Sequence, residues 1–293
     1  LIHIHFIVNP IAGTGDNKIN IKFLEGHFSK DRYTLSVKNS VYKKHAVKLT
    51  QESIKEGAKI IIACGGDGTI NEVASCIIGT SVILGVIPLG SGNGLASNLK
   101  ISKNIQKAIS LIKKQDVKKI DIGSLNGNYF FSNTGVGFDA LVIKNYEASN
   151  GRKLLSYIKG TLKSLRDIKY DREFDVCLNN ENLVLKPFMI FVSNSNVLGY
   201  NVSLTPKASL QDGLLDVLIV SRLNSFKVLL FCLLMIFKKH HLLKEVKSYQ
   251  TKKITINQKD SSFYDMQIDG EHRTIDDSNI EIYIQEQTLS IIA

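Results

Sequence analysis

Nowhere in its 293 residues does the chain carry a Cys-x-x-Cys pair, and its four cysteines, Cys64, Cys76, Cys177 and Cys232, lie far apart. That spacing excludes both a zinc knuckle and a disulfide framework, and a reducing, cytoplasmic setting fits. The longest apolar run, residues 228–237, is about half the ~20 residues that a membrane-spanning helix needs. The first residues lack the charged, apolar and small-residue succession of a signal peptide, so secretion is not expected. No Gly-x-x-x-x-Gly-Lys-Ser/Thr loop and no His-Arg-Asp loop occurs, which sets the chain apart from P-loop proteins and from protein kinases. The basic residues are not interleaved with aromatics and form no recognised module, so nucleic acid is not an expected partner. Internal repeats and low-complexity tracts are also missing.

What is present is an ordinary folded composition, 44% hydrophobic and 22% charged, with a formal charge of +10. The length exceeds a usual single core, so two domains are expected. The positive balance favours an anionic partner such as a nucleotide or an acidic membrane surface. The most informative stretch is Gly65-Gly66-Asp67-Gly68-Thr69. It follows a short β-branched run at 59–64, which suits a strand buried on both faces. It precedes Ile70, Val73, Ala74, Ile77 and Ile78, which repeat at helical spacing. A glycine loop between a strand end and a helix start lets backbone N–H groups approach an anion where the helix dipole is positive. A carboxylate there repels bare phosphate, so Asp67 points to a metal-bound nucleotide.

Two more apolar runs end in similar loops: residues 2–8 before Asn9-Pro10-Ile11-Ala12-Gly13, and 82–87 before Pro88-Leu89-Gly90-Ser91-Gly92-Asn93-Gly94. Ligands bind at the carboxyl ends of parallel strands, so the three loops imply one cleft. Strand and helix candidates alternate through a helix at 104–114, as in a parallel α/β sheet covered by helices. Then the pattern changes. Runs at 119–125 and 129–134 flank Asn126-Gly127-Asn128, and runs at 172–178 and 183–193 flank Asn179-Asn180, both hairpin signals. Further strands are expected at 214–220, 253–256, 263–268, 280–284 and 288–292, with helical insertions at 152–168 and 225–246. An antiparallel second domain beginning near residue 122 follows.

These residues carry a resemblance. Asn9-Pro10-x-x-Gly13, Gly65-Gly66-Asp67-Gly68-Thr69-x-Asn71-Glu72-Val73 and Pro88-x-Gly90-Ser91-Gly92-Asn93 stand in the order seen in bacterial soluble diacylglycerol kinases. Asp121-Ile122-Gly123, Phe131-x-Asn133, Gly137-Phe138-Asp139-Ala140, Asp212-Gly213-Leu214-Leu215-Asp216 and Asp269-Gly270-Glu271 extend the match. The chain therefore resembles the diacylglycerol kinase catalytic family, related to sphingosine kinases and, more distantly, to NAD kinases. The resemblance implies a three-layer parallel α/β nucleotide-binding domain, residues 1–121 with 286–293 returning to it. It also implies a C-terminal antiparallel β-sandwich, residues 122–285, that receives the lipid.

The activity implied is ATP-dependent transfer of the γ-phosphoryl group to a lipid hydroxyl in a cleft between the domains, foremost diacylglycerol to phosphatidic acid. Glu271 stands where the family has its base and Asp67 where it organises magnesium and phosphate, with Asp121 a second acidic candidate. The nucleotide-contacting positions implied are Asn9, Pro10, Gly13, Ser40, Gly65, Gly66, Asp67, Gly68, Thr69, Asn71, Ser91, Gly92 and Asn93; Ser40 stands where the family usually has threonine. A structural magnesium is implied at Asp212 with the carbonyls of Ser209 and Leu214, ligand types that suit a hard cation. Gly94 departs from the aspartate common in bacterial diacylglycerol kinases and brings the loop closer to the sphingosine kinase form. A sphingoid-base kinase, an NAD or polar-metabolite kinase and a non-catalytic nucleotide-binding regulator are the alternatives. Residues 226–237, followed by Lys238, Lys239, His240, His241, Lys244 and Lys247, fit peripheral docking on the inner face of the membrane. Residues 228–237 are apolar all round, however, which is more often the mark of a helix buried in the core or of a homodimer contact.

Overall fold

The computed structural model describes all residues except 14, 16, 91, 150–153, 168–171, 197–202 and 259–262. The chain divides into two compact units, residues 1–121 with 286–293 and residues 122–285.

The first unit alternates strand and helix: β1 (Ile2–Val8), α1 (Ile21–Glu25), β2 (Tyr33–Asn39), α2 (His45–Lys55), β3 (Ile60–Gly65), α3 (Asp67–Ile77), β4 (Ile83–Pro88), α4 (Gly94–Asn98) and α5 (Ile105–Lys114), then β5 (Val117–Leu125). Its strands are parallel in the order β2-β1-β3-β4. Every residue of β3 is buried, as expected of a parallel strand covered on both faces. The helices follow from apolar spacing: α3 buries Ile70, Val73, Ala74 and Ile77, and α5 buries Ala108, Ile109 and Ile112. The start of α5 is fixed by Asn104, whose side-chain oxygen accepts from Lys107 N at 3.0 Å, satisfying a donor that the helix leaves open. Register decides what this unit can do. Val8 pairs with Asn39 and Cys64, and Gly65 pairs with Pro88, so the strands end level and the loops after β1, β3 and β4 leave from one edge.

The second unit is antiparallel. After the end of β5 come β6 (Asn128–Phe130), β7 (Asn133–Gly137), α6 (Phe138–Glu147), α7 (Leu154–Asp167), β8 (Phe174–Leu178), β9 (Glu181–Leu185), β10 (Pro187–Ser193), β11 (Leu215–Ser221) and α8 (Ser225–Ile236). The strands β12 (Val246–Thr251), β13 (Lys253–Gln258), β14 (Phe263–Ile268), β15 (Glu271–Asp276) and β16 (Asn279–Ile292) complete it. One sheet runs β12-β11-β10-β7-β14-β15; facing it, β9, β8, β13 and the first part of β16 pair in that order, and β5 pairs with β6 and β16. Side chains of the two layers share one core, including Phe130, Val176, Ile190, Val217, Ile254 and Ile282. Alternate residues of β10 and β11, namely Met189, Phe191, Leu218 and Val220, join a second core with Phe138, Val228 and Phe231 of the helices. The period of two along each strand thus feeds one core on each face.

Several expected elements differ in detail. Residues 183–193 form two strands rather than one. The expected helix at 225–246 stops at Ile236, and its remainder becomes a short 3₁₀ turn at His240–Leu242 and the start of β12. Residues 280–284 and 288–292 belong to one strand, β16, turned within its length at Gln287, whose φ is 51°. A helix that the pattern does not announce, α6, follows directly on Gly137, the last residue of β7 and the N-cap of the helix. There φ is 102° and a Cβ would meet Phe188 O at 2.7 Å, a position only glycine fills easily.

Candidate active site

In the first unit the three strand-end loops touch. Asn9 N donates to Cys64 O at 2.9 Å, and Leu89 N donates to Gly65 O at 2.8 Å. Gly13 has φ +71°, and a Cβ there would lie 2.4 Å from Leu89 O. A Cβ on Gly90 would lie 2.7 Å from Gly66 Cα, so at Gly90 the two backbones pass too close for a side chain. Gly65 leaves room for the buried Thr69, whose side chain would stand 2.5 Å from an added Cβ. Thr69 Oγ1 in turn accepts from Asn9 Nδ2 at 3.3 Å. Asn17 Nδ2 holds the first loop through the carbonyls of Asn9 and Pro10, at 3.0 and 3.1 Å. Ser40 sits just past β2, its N–H donating to Val8 O at 2.8 Å.

Asp67 does more than the sequence suggests. Its Oδ2 accepts from Asn93 N at 2.7 Å and its Oδ1 from Gly94 N at 2.6 Å. The carboxylate therefore spans from the first turn of α3 to the backbone that opens α4, with short charge-assisted bonds. Gly92 makes room for it: an added Cβ would be 2.8 Å from Asp67 Oδ2. Asn93 is fully buried at φ 57°, a left-handed conformation that asparagine tolerates. Its amide closes the turn on itself, accepting from Gly90 N at 3.0 Å and donating to Gly90 O at 2.5 Å. Gly68 is exposed in the first turn of α3, where N–H groups have no acceptor inside the helix. The loop set thus offers an anion a glycine-lined backbone at a helix start, with Asn71 one turn further along α3. Ser91 lies outside the described residues.

In the second unit, Asp269 and Gly270 form the two-residue turn between β14 and β15, with φ of 48° and 79°. This is the paired positive-φ geometry of a tight hairpin. Asp269 is more than a turn residue. Its carboxylate accepts from the N–H groups of Phe131, Ser132 and Asn133 at 2.8, 2.7 and 3.1 Å. Behind the turn, Gln267 Oε1 accepts from Gly270 N at 3.0 Å, while Gln267 Nε2 donates to Asn133 Oδ1 at 2.8 Å and to Asp139 Oδ2 at 3.4 Å. Asp139 Oδ1 is sealed from solvent and has no hydrogen-bond partner among the described residues. Burial pushes its carboxyl up to about 7, against the smaller opposing pull of Ala140 N–H and the Gln267 amide. Glu271 opens β15 opposite Ile268. Its side chain is 41% exposed and ion-pairs with Arg273 at 2.9 Å.

The remaining acidic positions also have partners. Asp121 is buried in β5, and its Oδ1 accepts from Gln287 N at 2.8 Å, fixing the turn in β16. Exposed Asp212 accepts from Leu214 N at 3.1 Å, with Gly213 at φ 70° and Ser209 Oγ accepting from Gln211 N at 3.2 Å. Asp216 Oδ2, four residues on, is buried without a partner among the described residues. Carboxylate and carbonyl oxygens in such a turn are the donor set a hard cation takes. Among the described residues no group of three or more His, Cys, Asp or Glu side chains is gathered closely enough to hold a metal. The supporting residues Asn133, Asp139 and Asp269 escaped assignment from the sequence beyond their place in family motifs, and Gln267 escaped it altogether. Their partners lie more than a hundred positions away, and no local pattern encodes that.

Residues 3–125 match the family described as diacylglycerol kinase catalytic domain, and residues 132–292 match the YegS C-terminal NAD kinase beta sandwich-like domain. A diacylglycerol kinase of Bacillus subtilis (strain 168) is 32% identical over 228 residues, 74% of this chain and 73% of that protein. A Pectobacterium atrosepticum protein named as a probable lipid kinase, YegS-like, is 30% identical over 67% of this chain and 68% of its own length. Two crystal structures from Bacillus anthracis str. Sterne superpose with TM-scores of 0.78 and 0.71, the second described as a diacylglycerol kinase. They are 24% and 20% identical and each covers 99% of this chain and 96% of theirs, which speaks to the fold. The chain belongs to the lipid kinase family that joins a diacylglycerol kinase catalytic domain to a YegS-type β-sandwich.

Proposed function

We propose that this chain transfers the γ-phosphoryl group of ATP to the hydroxyl of diacylglycerol, giving phosphatidic acid and ADP. The observation that carries the nucleotide half is the contact of Gly66 with Gly90 at the start of α3. It bares backbone N–H groups where a polyphosphate is best stabilised. In this reading Gly13, Gly65, Gly66, Gly68 and Gly92 allow the close approach. Asn9, Pro10, Thr69, Asn71 and Asn93 fix the loop shapes, and Ser40 and Ser91 are assigned to the nucleotide as well. The diacylglycerol half is supported by the Bacillus subtilis relative, which bears that name.

Glu271 is assigned as general base. The lipid oxygen forms the new bond to the γ-phosphorus, the bond from that phosphorus to the β–γ bridging oxygen breaks, and the hydroxyl proton passes to the Glu271 carboxylate. The network of Asp269, Gln267 and Asn133 positions the turn that presents it. Magnesium, when bound, neutralises phosphate charge. Asp67, whose oxygens keep lone pairs beyond their two N–H bonds, and Asp121 are the acidic groups proposed for it. The Asp212 carboxylate with the Ser209 and Leu214 carbonyls is proposed for a structural ion. A sphingoid base is the second reading, favoured by Gly94 where related diacylglycerol kinases carry aspartate.

The test is transfer of labelled phosphate from ATP in mixed micelles to diacylglycerol, sphingosine and NAD in parallel. Diacylglycerol is expected to be labelled, and Glu271→Gln to lower kcat by about 10²–10⁴ with ATP affinity preserved. Labelling of sphingosine alone moves the acceptor to a sphingoid base. Labelling of NAD alone, or of nothing, refutes the lipid assignment.

A further inference from the structure

Helix α8 has two apolar faces, and only one is covered among the described residues. Val228 and Phe231 are 3% exposed, and with Cys232 and Met235 they pack into the core that includes Phe188, Met189 and Leu218. The outer stripe, Phe226, Leu229, Leu233 and Ile236, repeats at i, i+3, i+7 and i+10 and is 74, 70, 52 and 66% exposed. Phe237 and Leu242 continue it. Six of the fourteen exposed large apolar residues among those described fall between 226 and 242. That is a contiguous patch rather than scattered surface hydrophobics, and such patches mark docking surfaces. No helix among the described residues is long and apolar enough to cross a membrane.

The surroundings of the stripe say what covers it. Lys238, Lys239, His241, Lys244 and Lys247 are exposed immediately beyond it. Between residues 222 and 247 the single acidic residue is Glu245, and it is held by Lys227 at 2.5 Å. Pressing this face against a second copy of the chain would bring two lysine clusters together, with Glu245, already paired to Lys227, the one acid the segment offers against them. An anionic bilayer removes both problems, because acyl chains take up the stripe while headgroups neutralise the lysines.

We propose that α8 and the basic turn after it are the face by which this protein docks on an anionic bilayer. Phe226, Leu229, Leu233, Ile236 and Phe237 enter the acyl boundary, and Lys238, Lys239, Lys244 and Lys247 lie at headgroup level. This deepens the lipid-acceptor reading, on which it rests, since it names how the protein reaches a substrate held in a membrane.

The chain contains no tryptophan, so Leu233→Trp in the intact protein creates a single fluorescent reporter on the stripe. It is titrated with phosphatidylcholine vesicles and with vesicles containing about one-third phosphatidylglycerol. Expected are a blue shift and quenching by brominated acyl chains, with partition at least about tenfold stronger to the anionic vesicles. Adding Leu229→Ser and Ile236→Ser, or Lys238→Glu and Lys239→Glu, is expected to lower that partition about tenfold or more. Turnover of a water-soluble short-chain diacylglycerol should be unchanged. Three results overturn the proposal: sedimentation with anionic vesicles without any shift of the reporter, equal shifts with neutral vesicles, or a vesicle-free shift that follows protein concentration and a dimer in sedimentation velocity. The acceptor reading fails separately. If the short-chain diacylglycerol is phosphorylated while the reporter stays wet, docking alone is wrong; if no lipid is phosphorylated while the reporter inserts, the docking face stands and the acceptor is wrong.

Discussion

Asp67 offers the sharpest test of the nucleotide-side geometry, because its carboxylate is bonded to backbone before any ligand arrives. It accepts from Asn93 N at 2.7 Å and from Gly94 N at 2.6 Å. A hydrogen bond to a charged group contributes about 1.5–3 kcal/mol, and half-burial places these near the lower end. In Asp67→Asn one oxygen becomes an NH₂ that cannot accept, so one bond is lost and its N–H faces a donor. The first unit should lose about 2 kcal/mol in the absence of nucleotide and divalent cation. Asp67→Ala, which abandons both N–H groups, should lose about 3 kcal/mol. Urea unfolding in EDTA should register Asp67→Asn as a midpoint shift of about 1 M for a slope near 2 kcal/mol/M. Hydrogen exchange at the Asn93 and Gly94 amides should quicken by about 30-fold, the equivalent of that free energy. A carboxylate that served only to hold a cation would leave the EDTA-treated protein unaltered. A midpoint shift below about 0.2 M with unchanged exchange at both amides would refute the reasoning.

Other expectations come from the same contacts. Gly90→Ala pushes a methyl to 2.7 Å from Gly66 Cα, whereas Gly66→Ala meets Gly90 Cα at 3.4 Å. Thermal unfolding should therefore show the first to be destabilised by about 1–3 kcal/mol and the second by clearly less; equal effects would mean the loops are not in contact. Asp269→Asn weakens acceptance from three backbone N–H groups and should lower stability by about 2 kcal/mol in chemical denaturation, while Glu271→Gln, half-exposed, should leave it nearly unchanged. The Asp139 carboxyl is raised to about 7 by burial, so the folded protein holds its proton where the unfolded chain has already released it. Its contribution to stability therefore falls as pH rises from about 4 to 7 and levels off above. Asp139→Asn, which carries no such charge, should gain on the wild type by on the order of 2 kcal/mol between pH 5 and pH 8. A difference that stays flat with pH would show that this carboxyl ionises freely.

The sequence by itself determined whatever depends on neighbours along the chain. The buried strand before Gly65, the helix carrying Ile70, Val73, Ala74 and Ile77, the Asn104 start of α5 and the Asp269-Gly270 turn are local choices of residue type, and the structure places each there. The parallel first unit and antiparallel second unit were legible for the same reason, since alternation of elements and density of turns are properties of short windows. Tertiary structure decided what local patterns cannot carry. A carboxylate in a glycine loop reads as a metal group, yet Asp67 finds backbone donors 26 and 27 residues away. Asp121 reads as a strand-end acid, yet it fixes a turn at Gln287. Residues 228–237 read as apolar all round, which fits a buried helix; only the packing of β10, β11 and α8 leaves Leu229, Leu233 and Ile236 in water. Periodicity reports that a face is apolar, but what covers that face is set by contacts distant in sequence.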